Sequence, residues 1–165
     1  MWAKNSTFAS CEVDMQEKLG LKGHWTIEIR ENGVLTRTLD FDNQLTNLYR
    51  DSVLNQLKGN AFDSLDIKYL AVGTDGTPSS ASDTQLGAEI FRGSPTSKAI
   101  IGNYLQTIWV LTDLQANEHL REIGVFAGNA TLVADSGILL SRVVIDIEKT
   151  SAMEITFIRR DIVSI

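Results

Sequence analysis

The stretch REIGVF carries a glutamate, Glu122, at a position where an apolar residue is expected. If this stretch is a β-strand, alternation puts Glu122 on the same face as Leu120, Gly124 and Phe126. Such a face is typical of one that points into a core. Burying an unpaired carboxylate costs several kcal/mol, so a core-facing Glu122 requires a cationic partner.

Two arginines are candidates for that partner. Arg92 lies at the end of a predicted short helix, and Arg142 lies in the middle of the strand that comes after Glu122. The sequence therefore predicts a structural buried ion pair that involves Glu122 with Arg92 or Arg142. The alternative is that Glu122 lies at a sheet edge and is solvated.

The sequence shows no constellation that performs catalysis. It contains no GxSxG elbow, HExxH motif, GxGxxG turn or phosphate-binding Gly-Lys-Ser/Thr loop. His24 and His119 fall in different predicted hairpins, and Asp75 and Asp83 do not have the spacing of a calcium-binding EF-hand. We expect no catalytic residue, no metal and no cofactor, so the chain is predicted not to be an enzyme.

Composition narrows the class of protein. The chain has 165 residues, of which 43% are hydrophobic and 22% charged, as in one ordinary globular domain. Its net charge of −6 disfavours nucleic acid as a partner, because phosphate binding needs clustered Lys and Arg. No apolar stretch of membrane-spanning length is present, and the single Cys11 excludes an intramolecular disulfide.

Residues 1–22 are predicted to form an extended N-terminal arm that precedes a single β-rich domain, residues 23–165. The arm's apolar residues are spaced too irregularly for one helix face or one strand face. We expect them to bind a neighbouring subunit, whereas the alternative is that the arm pairs as an edge strand on the following hairpin. These partner-binding residues are Trp2, Phe8, Val13 and Met15.

Residues 23–42 alternate as a β-hairpin around the sequence Asn32-Gly33. A two-residue turn would place the apolar residues of the two strands on opposite faces, which is costly. A three-residue loop, Glu31-Asn32-Gly33, with a G1 bulge makes one face apolar, and this is the predicted loop. The resulting cross-strand pairs are Ile29 with Leu35 and Trp25 with Leu39.

The apolar period then becomes helical. Leu45, Leu48, Tyr49, Val53 and Leu57 recur at helical spacing, which predicts one amphipathic helix. Its available N-cap is Asn43 and its stop is Gly59. We expect this helix to pack on a sheet, the alternative being that it lines a groove for a partner.

The rest of the chain is predicted to be mostly strands. A short second helix is expected at TQLGAEIFR, because Ser82 and Gln85 resemble a capping box. The predicted strands are IKYLAVG, AIIGNYLQTIWVL, HLREIGVFA, GILLSRVVIDIEK and AMEITFIRRDI. The predicted fold class is α+β, mostly β: an antiparallel β-sandwich-like domain with one amphipathic helix and a short second helix.

Three of these segments, taken in order, resemble a known family. The set IKYLAVGTDGTPSSASDTQLGAEIFR, LREIGVFAG and EKTSAMEITFIR is similar to the collar or amino-terminal attachment domain of phage tail-fibre proteins. The similarity covers residues 43–160, and the arm and hairpin before it depart from the family pattern. The matching residues are Ala71-Val72-Gly73, Leu86, Glu89, Arg92 and Glu122-Ile123-Gly124-Val125-Phe126.

The resemblance implies a structural component of a bacteriophage virion tail, such as a fibre, collar or baseplate attachment subunit, or of a phage-tail-like particle. It implies other tail proteins and further copies of the same chain as partners, and the virion as location after assembly in the host cytoplasm. The alternative is a carbohydrate-binding β-sandwich module for host-surface recognition. That alternative requires Trp25, Tyr104 and Trp109 to be exposed together.

Overall fold

The computed structural model describes residues 20–59 and 64–164, and these are mostly antiparallel strands with one helix. The predicted mostly-β, antiparallel class is confirmed. Among the described residues, no helix has the length and apolar character needed to cross a bilayer. The elements are β1 Gly20–Glu31, β2 Val34–Asp42, α1 Asn47–Leu57, β3 Ile67–Gly73, β4 Glu89–Gly93, β5 Ser97–Ile101, β6 Tyr104–Leu111, β7 His119–Ala127, β8 Ile138–Glu148 and β9 Met153–Ser164.

The strands form two sheets that share one hydrophobic core. One sheet has five strands in the order β2-β1-β9-β6-β5, and the other has four in the order β4-β3-β7-β8. Because successive side chains of a strand point to opposite faces, every second residue of a strand faces the shared core. The five-stranded sheet contributes Trp25, Ile27, Trp109 and Phe157, and the four-stranded sheet contributes Leu70, Val72, Ile123 and Val125.

The β1–β2 hairpin closes with a two-residue turn, so the predicted three-residue loop is wrong. Glu31 pairs with Val34, and both turn residues have positive φ, 50° at Asn32 and 83° at Gly33. This is the backbone that a type I′ turn requires, and Asn-Gly is the residue pair that adopts it most readily.

A bulge farther along the hairpin brings the apolar faces into register. Arg30 pairs with Leu35 but Ile29 pairs with Arg37, so Thr36 is an extra residue on β2. Beyond that point the core-facing pairs are Ile27 with Leu39 and Trp25 with Phe41. The two strands therefore still match their apolar faces, as the predicted loop required, but Leu39 pairs with Ile27 and not with Trp25.

Helix α1 begins after Thr46, not after Asn43 as predicted. The Thr46 hydroxyl accepts from the Tyr49 N–H at 3.2 Å and donates to the Leu139 carbonyl of β8 at 2.5 Å. Asn43 instead accepts a hydrogen bond from the Trp25 indole N–H at 3.2 Å. Thr46 therefore both caps the helix and fixes it to the four-stranded sheet.

Three boundaries differ from the sequence prediction. TQLGAEIFR is not a helix, because residues 89–93 form β4, which pairs with β3. The predicted strand at 99–111 is a hairpin, β5 and β6, which turns at Gly102 with φ 59°. Residues 20–22, assigned to the arm, belong to β1 and pair with β9, whereas residues 1–19 lie outside the described residues.

The type I′ turn makes a prediction about Asn32. An L-residue with a Cβ and no short polar group is penalised at positive φ by about 1 kcal/mol or more. We expect Asn32→Ala to lower the free energy of unfolding by about 1 kcal/mol, measured by urea denaturation. Asn32→Gly is the control and should stay within about 0.5 kcal/mol of wild type, since glycine accepts this backbone. Equal, small effects of both substitutions would contradict the two-residue turn.

Candidate functional site

The four-stranded sheet is buried on both faces. One face belongs to the shared core, and the other carries a smaller cluster. Glu122 lies on this second face, whereas Leu120 belongs to the shared core, since the β7–β8 register breaks between these two residues. The predicted common face of Leu120 and Glu122 is therefore wrong. The apolar members of the smaller cluster are Ala71, Leu86, Phe126 and Leu139.

Glu122 is fully buried, with 0% of its surface exposed, and both of its carboxylate oxygens are hydrogen-bonded. Oε2 accepts from the Gly87 N–H at 2.9 Å and from Arg142 Nε at 2.7 Å. Oε1 accepts from the Ala88 N–H at 2.7 Å. The structure thus brings Glu122 and Arg142 together, and the same carboxylate holds the backbone just before β4.

These contacts explain why residues 84–88 are not helical. A helix would use the Gly87 and Ala88 N–H groups in bonds to carbonyls four residues earlier. Charge-assisted bonds to a buried carboxylate are stronger than neutral ones, so the tertiary contact prevails over the local pattern. Gly73 lets this segment approach, since a Cβ at position 73 would collide with the Ala88 carbonyl and with Glu122.

Arg142 connects Glu122 to the loop between β3 and β4. Its other nitrogens lie 3.2 Å from Asp83 and 3.4 Å from Asp75. Burial lowers the pKa of Arg142, but hydrogen bonds and Coulombic attraction from Glu122 and Asp83 outweigh it and leave this pKa above its ordinary value. The Thr77 hydroxyl and N–H donate to Asp75 and lower the pKa of that carboxyl. The loop is therefore held by ion pairs to Arg142 and by hydrogen bonds to Asp75.

Arg92 lies in a second buried ion pair, with Glu89 and not with Glu122. Arg92 Nε and one terminal nitrogen donate to the two Glu89 oxygens at 2.5 and 2.7 Å. The other terminal nitrogen donates to the Thr131 carbonyl at 2.8 Å, and the guanidinium lies 4.4 Å from the centre of the Phe126 ring. This pair anchors the loop between β7 and β8.

A polar cleft of about 370 Å³ borders the Glu122–Arg142 network and is lined by Asp75, Thr77, Asp83, Gly87 and Arg142. Its carboxylates are already bonded to Arg142 or to loop hydroxyl and N–H groups. Within residues 20–59 and 64–164, no three His, Cys, Asp or Glu side chains are grouped to hold a metal ion. The chemistry that these contacts support is the fixing of two loops on one sheet face.

An apolar groove of about 310 Å³ runs along α1. None of the 11 helix residues is fully buried, and Leu54 and Leu57 are 56% and 76% exposed. The helix is therefore only partly packed on the domain. Trp2, Phe8, Val13 and Met15, the predicted partner-binding residues of the arm, lie outside the described residues.

The aromatic surface that a carbohydrate-binding module would need is not exposed. Trp25 and Trp109 are buried in the shared core with their ring centres 6.0 Å apart, and Tyr104 is half-buried. These two tryptophans contribute to packing between the sheets. The carbohydrate-binding alternative required Trp25 and Trp109 to be exposed, and both are buried.

Sequence reasoning missed two further buried cations. Arg159 continues the core-facing positions of β9 after Phe157, and it pairs with Asp161 at 2.6 Å and with the Ser141 hydroxyl at 2.9 Å. Lys149 is 2% exposed, and its amine donates to Asn117 at 2.8 Å. For Arg159 the signal was available, since a charged residue stands in an alternating apolar series.

Glu122 should be far more important for stability than a surface carboxylate. Glu122→Ala leaves Arg142 buried with one fewer partner and frees two buried N–H groups, so we expect a loss of about 3–5 kcal/mol in free energy of unfolding. The control is Asp51→Ala, which breaks the exposed Arg50–Asp51 pair and should cost about 1 kcal/mol or less. Urea denaturation measures both, and similar losses in the two variants would contradict the role assigned to Glu122.

Lys149 should make stability depend on alkaline pH. Burial lowers the pKa of Lys149 below its ordinary value of 10.5, with attraction by Asp113 opposing the shift. Below the folded-state pKa both states carry the charged amine, so the full cost of burying it lowers the stability. Between the folded-state pKa and 10.5 the unfolded chain holds this proton and the folded chain does not, so the free energy of unfolding rises with pH.

The test compares wild type with Lys149→Met by urea denaturation at neutral pH and near pH 10. We expect wild type to gain stability relative to Lys149→Met over this range, whereas the exposed Lys22→Met variant should keep a constant difference from wild type. A constant difference for Lys149→Met as well would show that Lys149 titrates alike in both states.

Comparisons with protein-family models, with curated proteins and with solved structures found no match to this chain. The tail-fibre resemblance therefore depends on the sequence motifs alone. Among the residues that carry those motifs, the geometry adds a physical role for Gly73, Leu86, Glu89, Arg92 and Glu122.

Proposed function

We propose that the chain is a structural subunit of a bacteriophage tail, or of a phage-tail-like particle, that attaches neighbouring subunits to one another. In this proposal it is a fibre, collar or baseplate component, has no enzymatic activity, and reaches the virion by assembly in the bacterial host cytoplasm. Its partners are other tail proteins and further copies of itself, with no part for nucleic acid or membrane.

The observation that carries the proposal is the convergence of several motif residues on one face of the four-stranded sheet. Gly73 makes room for the Gly87-Ala88 backbone, Glu122 binds that backbone, and Leu86 packs beside Phe126. The Glu89–Arg92 pair closes the adjoining loop. Motifs that are distant in sequence thus specify one local structure, which supports a real relationship with the attachment domains that carry them.

The kind of structure also supports an assembly role. Both loops on this face are fixed by buried ion pairs, so the surface that they present keeps one shape. We propose that the two sheets form a β-sandwich whose outer surface is available for subunit contacts. Exposed apolar side chains, including Ile100 on the edge strand β5, suit burial by neighbouring subunits.

The proposal predicts that the chain is part of a particle. We expect the protein to co-sediment with tail particles purified from a lysate of the bacterium that carries its gene, at a fixed ratio to the other particle proteins as measured by quantitative mass spectrometry. A Glu122→Ala variant should be depleted from particles, because the loops that it fixes form part of the contact surface. The matched control is Asp146→Ala, which breaks the exposed His119–Asp146 pair outside both loops and outside the groove along α1, and it should be incorporated like wild type. Recovery of the wild-type chain only in the soluble fraction would refute the proposal.

A further inference from the structure

We infer that the apolar groove along α1 is the docking site for the arm, residues 1–19, of a second copy of this chain. This inference rests on the proposed assembly function, which it deepens by naming both the receiving surface and the segment received. The contact is between copies of the chain, so each copy offers one arm and one groove.

The groove is lined mainly by apolar side chains, and several of them are exposed to solvent. Leu21 and Leu45 border it on the side of the sheets, and Tyr49, Val53, Leu54 and Leu57 form the helix side. Leu54 and Leu57 are more than half exposed although they continue the helical stripe that packs on the domain. An apolar helix face that its own domain covers only in part is the usual receptor for an added segment with apolar anchors.

The arm has the matching chemistry. Val13 and Met15 are apolar residues two positions apart, and Glu12 and Asp14 flank Val13 with negative charge. Among the described residues that line the groove, the charged one is Arg50, and it already pairs with Asp51. An extended segment turns Val13 and Met15 to one side and Glu12 and Asp14 to the other, so the two apolar side chains can meet the groove while the acidic ones face solvent. This pattern favours this part of the arm as the occupant.

The arm begins beside the groove of its own domain, at Leu21, and the direction in which it leaves β1 favours the groove of a second copy. β1 is paired with β9 from its first residue, Gly20 opposite Ser164, so the chain joins the sheet already extended along the strand axis. The eight residues from Val13 to Leu21 span about 27 Å when extended, whereas the 11-residue helix is about 16 Å long. An arm that continues the direction of β1 therefore carries Val13 beyond the groove that Leu21 borders and toward the groove of a neighbour. Exchanging a terminal segment in this way is a common route to symmetric assemblies.

The test uses two full-length variants, each defective in one half of the contact. Leu54→Asp places a charge in the groove at an exposed position, and Val13→Asp removes the apolar anchor of the arm. The matched control is Leu114→Asp, which makes the same change at a residue that is 83% exposed and does not line the groove. Circular dichroism and thermal unfolding of each variant establish that the fold is kept.

Sedimentation velocity over a concentration series measures self-association of wild type, of each variant alone, and of an equimolar mixture of the two. We expect wild type and Leu114→Asp to associate alike, and each of Leu54→Asp and Val13→Asp to associate at least tenfold more weakly. The mixture should recover association, because the intact arm of the Leu54→Asp chain can enter the intact groove of the Val13→Asp chain.

Three outcomes would overturn the inference. These are a wild-type chain that stays monomeric at every concentration, variants that associate like wild type, and a mixture that associates no better than the separate variants. The last would place the arm on its own domain. If the inference fails but wild type is recovered in particles, the proposed function still stands. If the mixture recovers association but the chain is absent from particles, the proposed function is refuted and the arm–groove contact stands.

Discussion

A fully buried carboxylate must be neutralised and hydrogen-bonded, and the way Glu122 meets this requirement organises one side of the molecule. Arg142 supplies the charge, and the Gly87 and Ala88 N–H groups supply the remaining donors. The chain before β4 must therefore lie directly over β3 and β7, which requires the absence of a side chain at Gly73. A single electrostatic constraint thus determines the path of the β3–β4 loop, the start of β4 and one glycine.

Apolar packing alone could not fix this face. Among the described residues, the second cluster holds four buried apolar residues, so the area that it removes from water is small beside that of the shared core. Ion pairs add direction, since each bond requires its donor at a given distance and angle. Glu122–Arg142 and Glu89–Arg92 serve adjacent loops in the same manner, one through backbone N–H groups and the other through backbone carbonyls. A small cluster is thereby given a single geometry.

Two strands that depend on a pattern of residues close in sequence were predicted correctly, and a segment whose structure depends on distant residues was not. β3 and β7 agree with the sequence prediction to the residue, because an apolar run with flanking turn residues is a local signal. The hairpin turn was predicted wrongly because the bulge at Thr36, which restores the register, leaves no mark in the sequence. The expected second helix failed for the opposite reason: its local pattern is genuine, but Glu122, more than thirty positions away, binds its N–H groups. The ion pair itself was predictable in type, since burial demands a cation, but the choice of Arg142 over Arg92 depends on tertiary geometry.

On the helix side of the domain, apolar contacts and not ion pairs dominate. Thr46 fixes the start of α1 to β8 with directional bonds, but beyond this cap the helix has apolar side chains that the domain leaves partly exposed. Apolar contacts are non-directional and are made or lost without breaking a hydrogen-bond network. A surface of that kind suits a contact that must form during assembly, whereas the ion-paired face suits a shape that must not change. The division follows from the residues: buried carboxylate–guanidinium pairs on one side of the four-stranded sheet, and an incompletely covered leucine stripe along α1.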